Sequence, residues 1–162
     1  IQQEGYFDYQ KEITLNDISV SENGEYTLLL DLKPIETGDS FILEAIQFKK
    51  SEAIVLKESY PSLDQLSDLL KRNKNVHIKI IGHTDNVGDK KALMMLSEDR
   101  AETIKDYLIQ KGIDPMRLEV KGFGGNYPLN DNSTEAIKNK NRRVEILISS
   151  DGVSDLKTNP NK

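Results

Sequence analysis

Leu93, Leu96, Arg100, Ile104 and Leu108 recur at spacings of three and four, so on a helix they share one face, and Arg100 is the charged member of an otherwise apolar stripe. A guanidinium at the edge of a core needs a carboxylate or a polar cleft, because a desolvated and unpaired charge is costly. The sequence offers Asp85, in the loop after the strand-like run Val76–Ile81. Two arrangements satisfy both residues. One is an internal Asp85–Arg100 salt bridge. In the other the pair faces a shared ligand of mixed charge, with Asp85 taking an ammonium and Arg100 gripping a carboxylate through its two-pronged fork. A zwitterionic amino-acid head group meets both demands, and the end of a strand leading into a loop and helix is where α/β sheets place ligands.

Other chemistry is scarce. The 162 residues contain no cysteine, which removes disulfides, thiolate metal sites and thiol nucleophiles, and only two histidines, His77 and His83. These two fall on one side of a strand by parity, but no further metal ligands can be assigned to them, and His83 reads as part of the loop's hydrogen bonding. An acid–base pair of His83 and Asp85 is the competing, hydrolytic reading of the same loop. Gly122-Phe123-Gly124-Gly125 lacks the spacing of a dinucleotide fingerprint, so no cofactor is expected. Lys138–Arg143 carries four basic residues in six, yet 22 Lys+Arg against 27 Asp+Glu leave a net charge of −5, which argues against nucleic acid as a partner. No run approaches the roughly 18 consecutive apolar residues of a membrane span. With Ile1 rather than Met as its first residue, the chain is expected to be part of a longer protein.

The elements that must position Asp85 and Arg100 follow from pattern. Residues 1–39 read as β-rich: Asn23-Gly24 is a hairpin turn dipeptide, Tyr26, Leu28, Leu30 and Leu32 alternate after it, and Ile13–Leu15 with Ile18 form the partner strand. From residue 40 strands and helices alternate. Phe41–Phe48 reads as a strand, Ser59 as a helix cap followed by Pro61 in the first turn, and Leu63, Leu66, Leu69 and Leu70 as a buried helix face ending at Asn73. Val76–Ile81 is a strand with Val76, Ile78 and Ile80 inward and His77, Lys79 and Ile81 on the wet face. A long helix over Asp89–Lys111 stops at Gly112 and Asp114-Pro115, Leu118 and Val120 mark a strand, Asn132 with Glu135 resembles a capping box, and Val144, Ile146 and Ile148 make the last strand. Residues 150–162 read as a flexible polar tail. The fold class is α+β, a mixed sheet with helices packed on one face, preceded by a short β-rich segment.

Gly82-His83-Thr84-Asp85-Asn86-Val87-Gly88 followed by Leu96-Ser97-Glu98-Asp99-Arg100-Ala101 closely resembles the signature of OmpA-like C-terminal domains. The resemblance continues through Arg117-Leu118, Gly122-Phe123-Gly124, Pro128, Asp131-Asn132 and Asn141-Arg142-Arg143-Val144-Glu145, covering roughly residues 41–149. It implies a βαβαβ sandwich over residues 40–149 that binds peptidoglycan without catalysis through the diaminopimelate of the stem peptide. Asp85 and Arg100 would be the clamp and Arg142 its support, with Ser51, Thr84, Val87 and Leu93 at the remaining binding positions. Two of these depart from the family pattern: Phe48-Lys49-Lys50-Ser51-Glu52 stands where an F-D-x-(D/N)-K segment is usual, and Leu93 where an Asn is common. The resemblance places the chain at the periplasmic face of the outer membrane of a Gram-negative bacterium, touching the membrane only through other parts of its parent, and the β-rich lead-in is similar to Bacteroidetes members. A protein–protein or stator-type module with weakened wall binding is the alternative.

Overall fold

A computed structural model describes residues 2–8, 14–23, 25–28, 31–43 and 46–149. The chain divides into two compact units, Ile1–Ile35 and Glu36–Lys162. The expected tail 150–162 lies outside the described residues, as do Ile13, Gly24 and Leu30 of the expected hairpin.

In the first unit, β1 (Ser19–Val20) pairs antiparallel with β2 (Tyr26–Thr27). The first strand of this hairpin lies later than the expected Ile13–Leu15 because Leu15–Asp17 turns into a short 3-10 helix. The Asp17 carboxylate accepts hydrogen bonds from the Thr14 N–H at 2.9 Å and the Thr14 hydroxyl at 2.7 Å, so a local side chain captures backbone that a ladder would otherwise use.

The second unit runs β3 (Ser40–Ile42), α1 (Tyr60–Arg72), β4 (His77–Gly82), α2 (Lys90–Gln110), β5 (Leu118–Gly122), α3 (Glu135–Asn141) and β6 (Val144–Ser149). The strands form one mixed sheet in the order β3-β6-β4-β5, parallel only between β4 and β5, which α2 connects. Helix α2 packs across β4 and β5 and against α1. Leu63, Leu70, Ile78, Ile80, Ile104, Leu108 and Ile146 are fully buried between helices and sheet. None of the described helices is long and apolar enough to cross a membrane.

Several local expectations change for physical reasons. The strand expected over Phe41–Phe48 ends at Ile42 because its partner runs out: Ile42 pairs with Glu145, the Leu43 N–H reaches the Val144 carbonyl at 2.8 Å, and β6 begins at Val144. Lys79 is buried rather than wet, because β4 lies between β6 and β5, and its ammonium pairs with Glu119 at 2.8 Å. Ser59 precedes α1 but does not cap it; its buried hydroxyl accepts the Gln47 N–H at 2.8 Å. Thr134, not Asn132, caps α3, while Asn132 adopts a left-handed φ of 60° and accepts a hydrogen bond from Asn141 at 2.8 Å.

Candidate functional site

The site assembles where β4 and β6 hand over to loops. In register, Gly82 opposes Val144 and Ile81 opposes Glu145, so the loop leaving β4 and the turn entering β6 are neighbours, and the His83 N–H donates to the Arg143 carbonyl at 3.0 Å. Helix α2 presses close beneath them. A Cβ on Gly82 would lie 2.0 Å from the Ser97 carbonyl oxygen, and one on Gly122 2.6 Å from the Glu98 nitrogen, so only glycine allows this approach. The buried Ser97 hydroxyl accepts the Gly124 N–H at 2.9 Å and the Thr84 N–H donates to the Gly124 carbonyl at 2.9 Å, which ties both loops to α2.

Asp85 does not pair with Arg100. Its Oδ2 takes Arg142 Nη1 at 2.6 Å, and its Oδ1 accepts the Val87 N–H at 3.0 Å. Arg142 also bonds Glu135 and Asn139, so three acceptors hold it. Burial alone would lower the Arg142 pKa, but the hydrogen bonds to Glu135 and Asp85 outweigh it and raise the value. Arg100, 6% exposed, sends its Nε to the Glu52 carbonyl at 3.1 Å and lies over the Phe48 ring at 4.9 Å from the centroid. Among the described residues no carboxylate stands within ion-pair distance of it. Burial lowers its pKa, the nearby Arg142 charge lowers it further, and the field of Asp85 opposes both. Asp85, Arg100 and Arg142 therefore share one electrostatic neighbourhood, and of the two arrangements open to Asp85 and Arg100 the internal salt bridge is not formed, Asp85 pairing with Arg142 instead.

Arg100 and Arg142 line a cavity of about 590 Å³, with Ile42, Ile46, Phe48 and Leu129 among its apolar wall residues. Ser51 lies in the exposed turn between the bridged residues Phe48 and Val55, at a left-handed φ of 58°, one residue before the carbonyl that holds Arg100. Thr84 is buried, its hydroxyl donating to the Asp85 carbonyl at 2.8 Å. Val87 is 59% exposed beside Asp85, and half-buried Leu93 lies against Gly88.

His83 is not paired with Asp85, so the acid–base arrangement is not formed. It is buried with neither ring nitrogen hydrogen-bonded, its Nε2 3.6 Å from Glu145. That imidazole, together with Arg143, holds the Glu145 carboxyl down to about 2. Two further contributors did not stand out from pattern. The fully buried Asn141 amide accepts the Leu129 and Asn130 N–H groups at 2.8 and 3.1 Å and donates to Asn130 and Asn132, pinning the loop that carries Leu129 to the cavity. Glu52 contributes only a backbone oxygen, which no residue pattern announces.

Residues 47–142 match the OmpA family. The chain is 36% identical over 117 residues to outer membrane protein A of Bordetella avium, covering 72% of this chain and 60% of that protein. It is 33% identical over 103 residues to the peptidoglycan-binding protein ArfA of Mycobacterium tuberculosis, covering 64% of this chain and 32% of that protein. Among solved structures, the cell wall anchor of the T6SS from Pseudomonas aeruginosa matches with a TM-score of 0.58 at 26% identity, over 69% of this chain and 80% of that one. The chain thus spans less than two thirds of the length of either curated relative.

Proposed function

The chain belongs to the OmpA family over residues 47–142, and from that premise we propose that residues 40–149 form a non-catalytic module that binds peptidoglycan through the diaminopimelate of its stem peptide. The observation that carries the reading is Arg100: a buried guanidinium with one carbonyl and one aromatic ring as partners, no carboxylate among the described residues, and a cavity in front of it. Such a group favours a carboxylate from outside, since the pair then compensates a charge already desolvated. Asp85 supplies the opposite sign. Each of its oxygens can accept more than one hydrogen bond, so an ammonium can join Arg142 and the Val87 N–H there.

In this reading Arg142 positions Asp85, and Ser51, Thr84, Val87 and Leu93 belong to the surrounding binding surface, with Leu93 offering packing where an amide is usual in the family. The module works between the outer membrane and the wall of a Gram-negative bacterium, as an anchor.

Sedimentation with insoluble peptidoglycan tests the proposal. The wild type is expected in the pellet, and Asp85→Ala and Arg100→Ala in the supernatant with unchanged circular dichroism. Truncating one partner of a desolvated charged contact costs about 2–5 kcal/mol, enough to turn micromolar binding undetectable. A wild type that stays in the supernatant would sink the anchoring function, and normal sedimentation of either variant would remove that residue from the pocket.

A further inference from the structure

The cationic side chains of the cavity outnumber their partners. Among the described residues, Arg100, Lys140, Arg142 and Arg143 all line it, and no Asp or Glu does. Arg142 is matched by Asp85 and Glu135, and Arg143 by Glu145. Among the described residues neither Arg100 nor Lys140 has a carboxylate within ion-pair distance. A chain of net charge −5 therefore holds a cationic concavity. Like charges gathered on a concave wall of low dielectric focus an attractive potential on anions.

One carboxylate answers Arg100 and leaves Lys140 without a counterpart. We propose that Lys140 forms a second anion subsite, so that the cavity selects stem peptides carrying a free carboxylate in addition to their zwitterionic end and discriminates against stems in which that carboxylate is a carboxamide. The proposal rests on the wall-binding reading above and deepens it by naming which chemical form of the stem is preferred. A carboxamide has almost the shape of a carboxylate but no charge, and it offers one accepting oxygen instead of two to an ammonium that can only donate. The discrimination is therefore electrostatic rather than steric, directed against one competitor instead of adding bulk affinity. The apolar residues Ile42 and Leu129 line the same cavity and suit an aliphatic segment joining two polar ends.

Lys140 is exposed, and its charge is screened by solvent and salt. An exposed pair of this kind corresponds to a preference of about two- to fivefold at low ionic strength. That preference shrinks as salt rises.

Titration calorimetry with two synthetic tripeptides, both L-alanyl-γ-D-glutamyl-meso-diaminopimelate, tests this. Both keep the ammonium and carboxylate at the side-chain end of diaminopimelate; in one the other carboxyl groups are free, and in the other they are carboxamides. The wild type is expected to bind the free-acid peptide about two- to fivefold more tightly. Lys140→Gln is expected to bring the free-acid peptide to the level of the amidated one while leaving the amidated one unchanged, and Lys140→Glu to reverse the order. Equal binding of the two peptides by the wild type, or equal weakening of both by Lys140→Gln, overturns the second subsite while leaving wall binding in place. Failure of the wild type to bind either peptide overturns the wall-binding reading and this inference together.

Discussion

Two arginines of this chain, Arg100 on α2 and Arg117 just before β5, are both drawn out of solvent and do opposite things. Arg117 sends its Nε to the Val76 carbonyl at 2.9 Å and its Nη2 to the carbonyls of Leu70, Asn73 and Val76 at 2.9, 2.8 and 2.7 Å. It fastens the end of α1 to the start of β4 by collecting carbonyl oxygens from the last turn of the helix and the connection that follows it. Arg100, at the other end of β4, has one carbonyl and a ring, and faces a cavity. Burial lowers the pKa of both. The difference lies in how much hydrogen-bonding capacity the protein has already used: Arg117 is a fastening, and Arg100 is held in place with capacity left over for a ligand.

The largest test of that contrast crosses the two residues. Arg100→Ala is expected to lose wall binding with a small change in melting temperature, whereas Arg117→Ala is expected to lose about 2–3 kcal/mol of stability in urea titration and still sediment with the wall where folded. If Arg117→Ala abolished binding at full foldedness, or if Arg100→Ala unfolded the domain, the distinction would be broken. Asn141 extends the comparison, since its amide is satisfied by the protein and so belongs with Arg117. Asn141→Ala is expected to cost about 2 kcal/mol in denaturant, by stranding the backbone groups of Leu129 and Asn130.

Glu145 sharpens it further, as a charge whose partners are all internal. The folded state holds this carboxyl at about 2, against 4.5 in an unfolded chain, through His83 and Arg143. Its contribution to stability is therefore complete above about pH 4.5 and is lost as pH falls toward 2. Glu145→Gln is expected to flatten the stability profile across that window, with no effect there that depends on added peptidoglycan. The smallest effect concerns Ser51, whose φ of 58° suits glycine. Ser51→Gly is expected to raise stability by about 0.5–1 kcal/mol in thermal melts.

Much of this site is legible as pattern, and the limits of legibility are physical. Arg100 stands out because a charge in an apolar helical stripe breaks a 3.6-residue period, and Asp89 and Gly112 bound that helix with local side-chain and backbone preferences that need no tertiary context. The cap residues Ser59 and Asn132 mislead because each has a local role available to it and a distant partner that wins: the Gln47 N–H for one and the Asn141 amide for the other. Lys79 misleads because alternation along one strand does not say what stands on either side of it.

The sequence by itself determined which residue types could meet a zwitterion, the long helix carrying Arg100, and the alternation of strands and helices after residue 40. These are local matters, set by side-chain period, caps and turn chemistry within a few residues. Tertiary structure alone decided that Asp85 pairs with Arg142 across 57 positions of sequence. That follows from a sheet order in which β6 inserts between β3 and β4 and lays the entrance of one strand beside the exit of another. It also decided that Glu145 and Asp85 consume Arg143 and Arg142 while Arg100 keeps its capacity, since charge compensation depends on through-space distance.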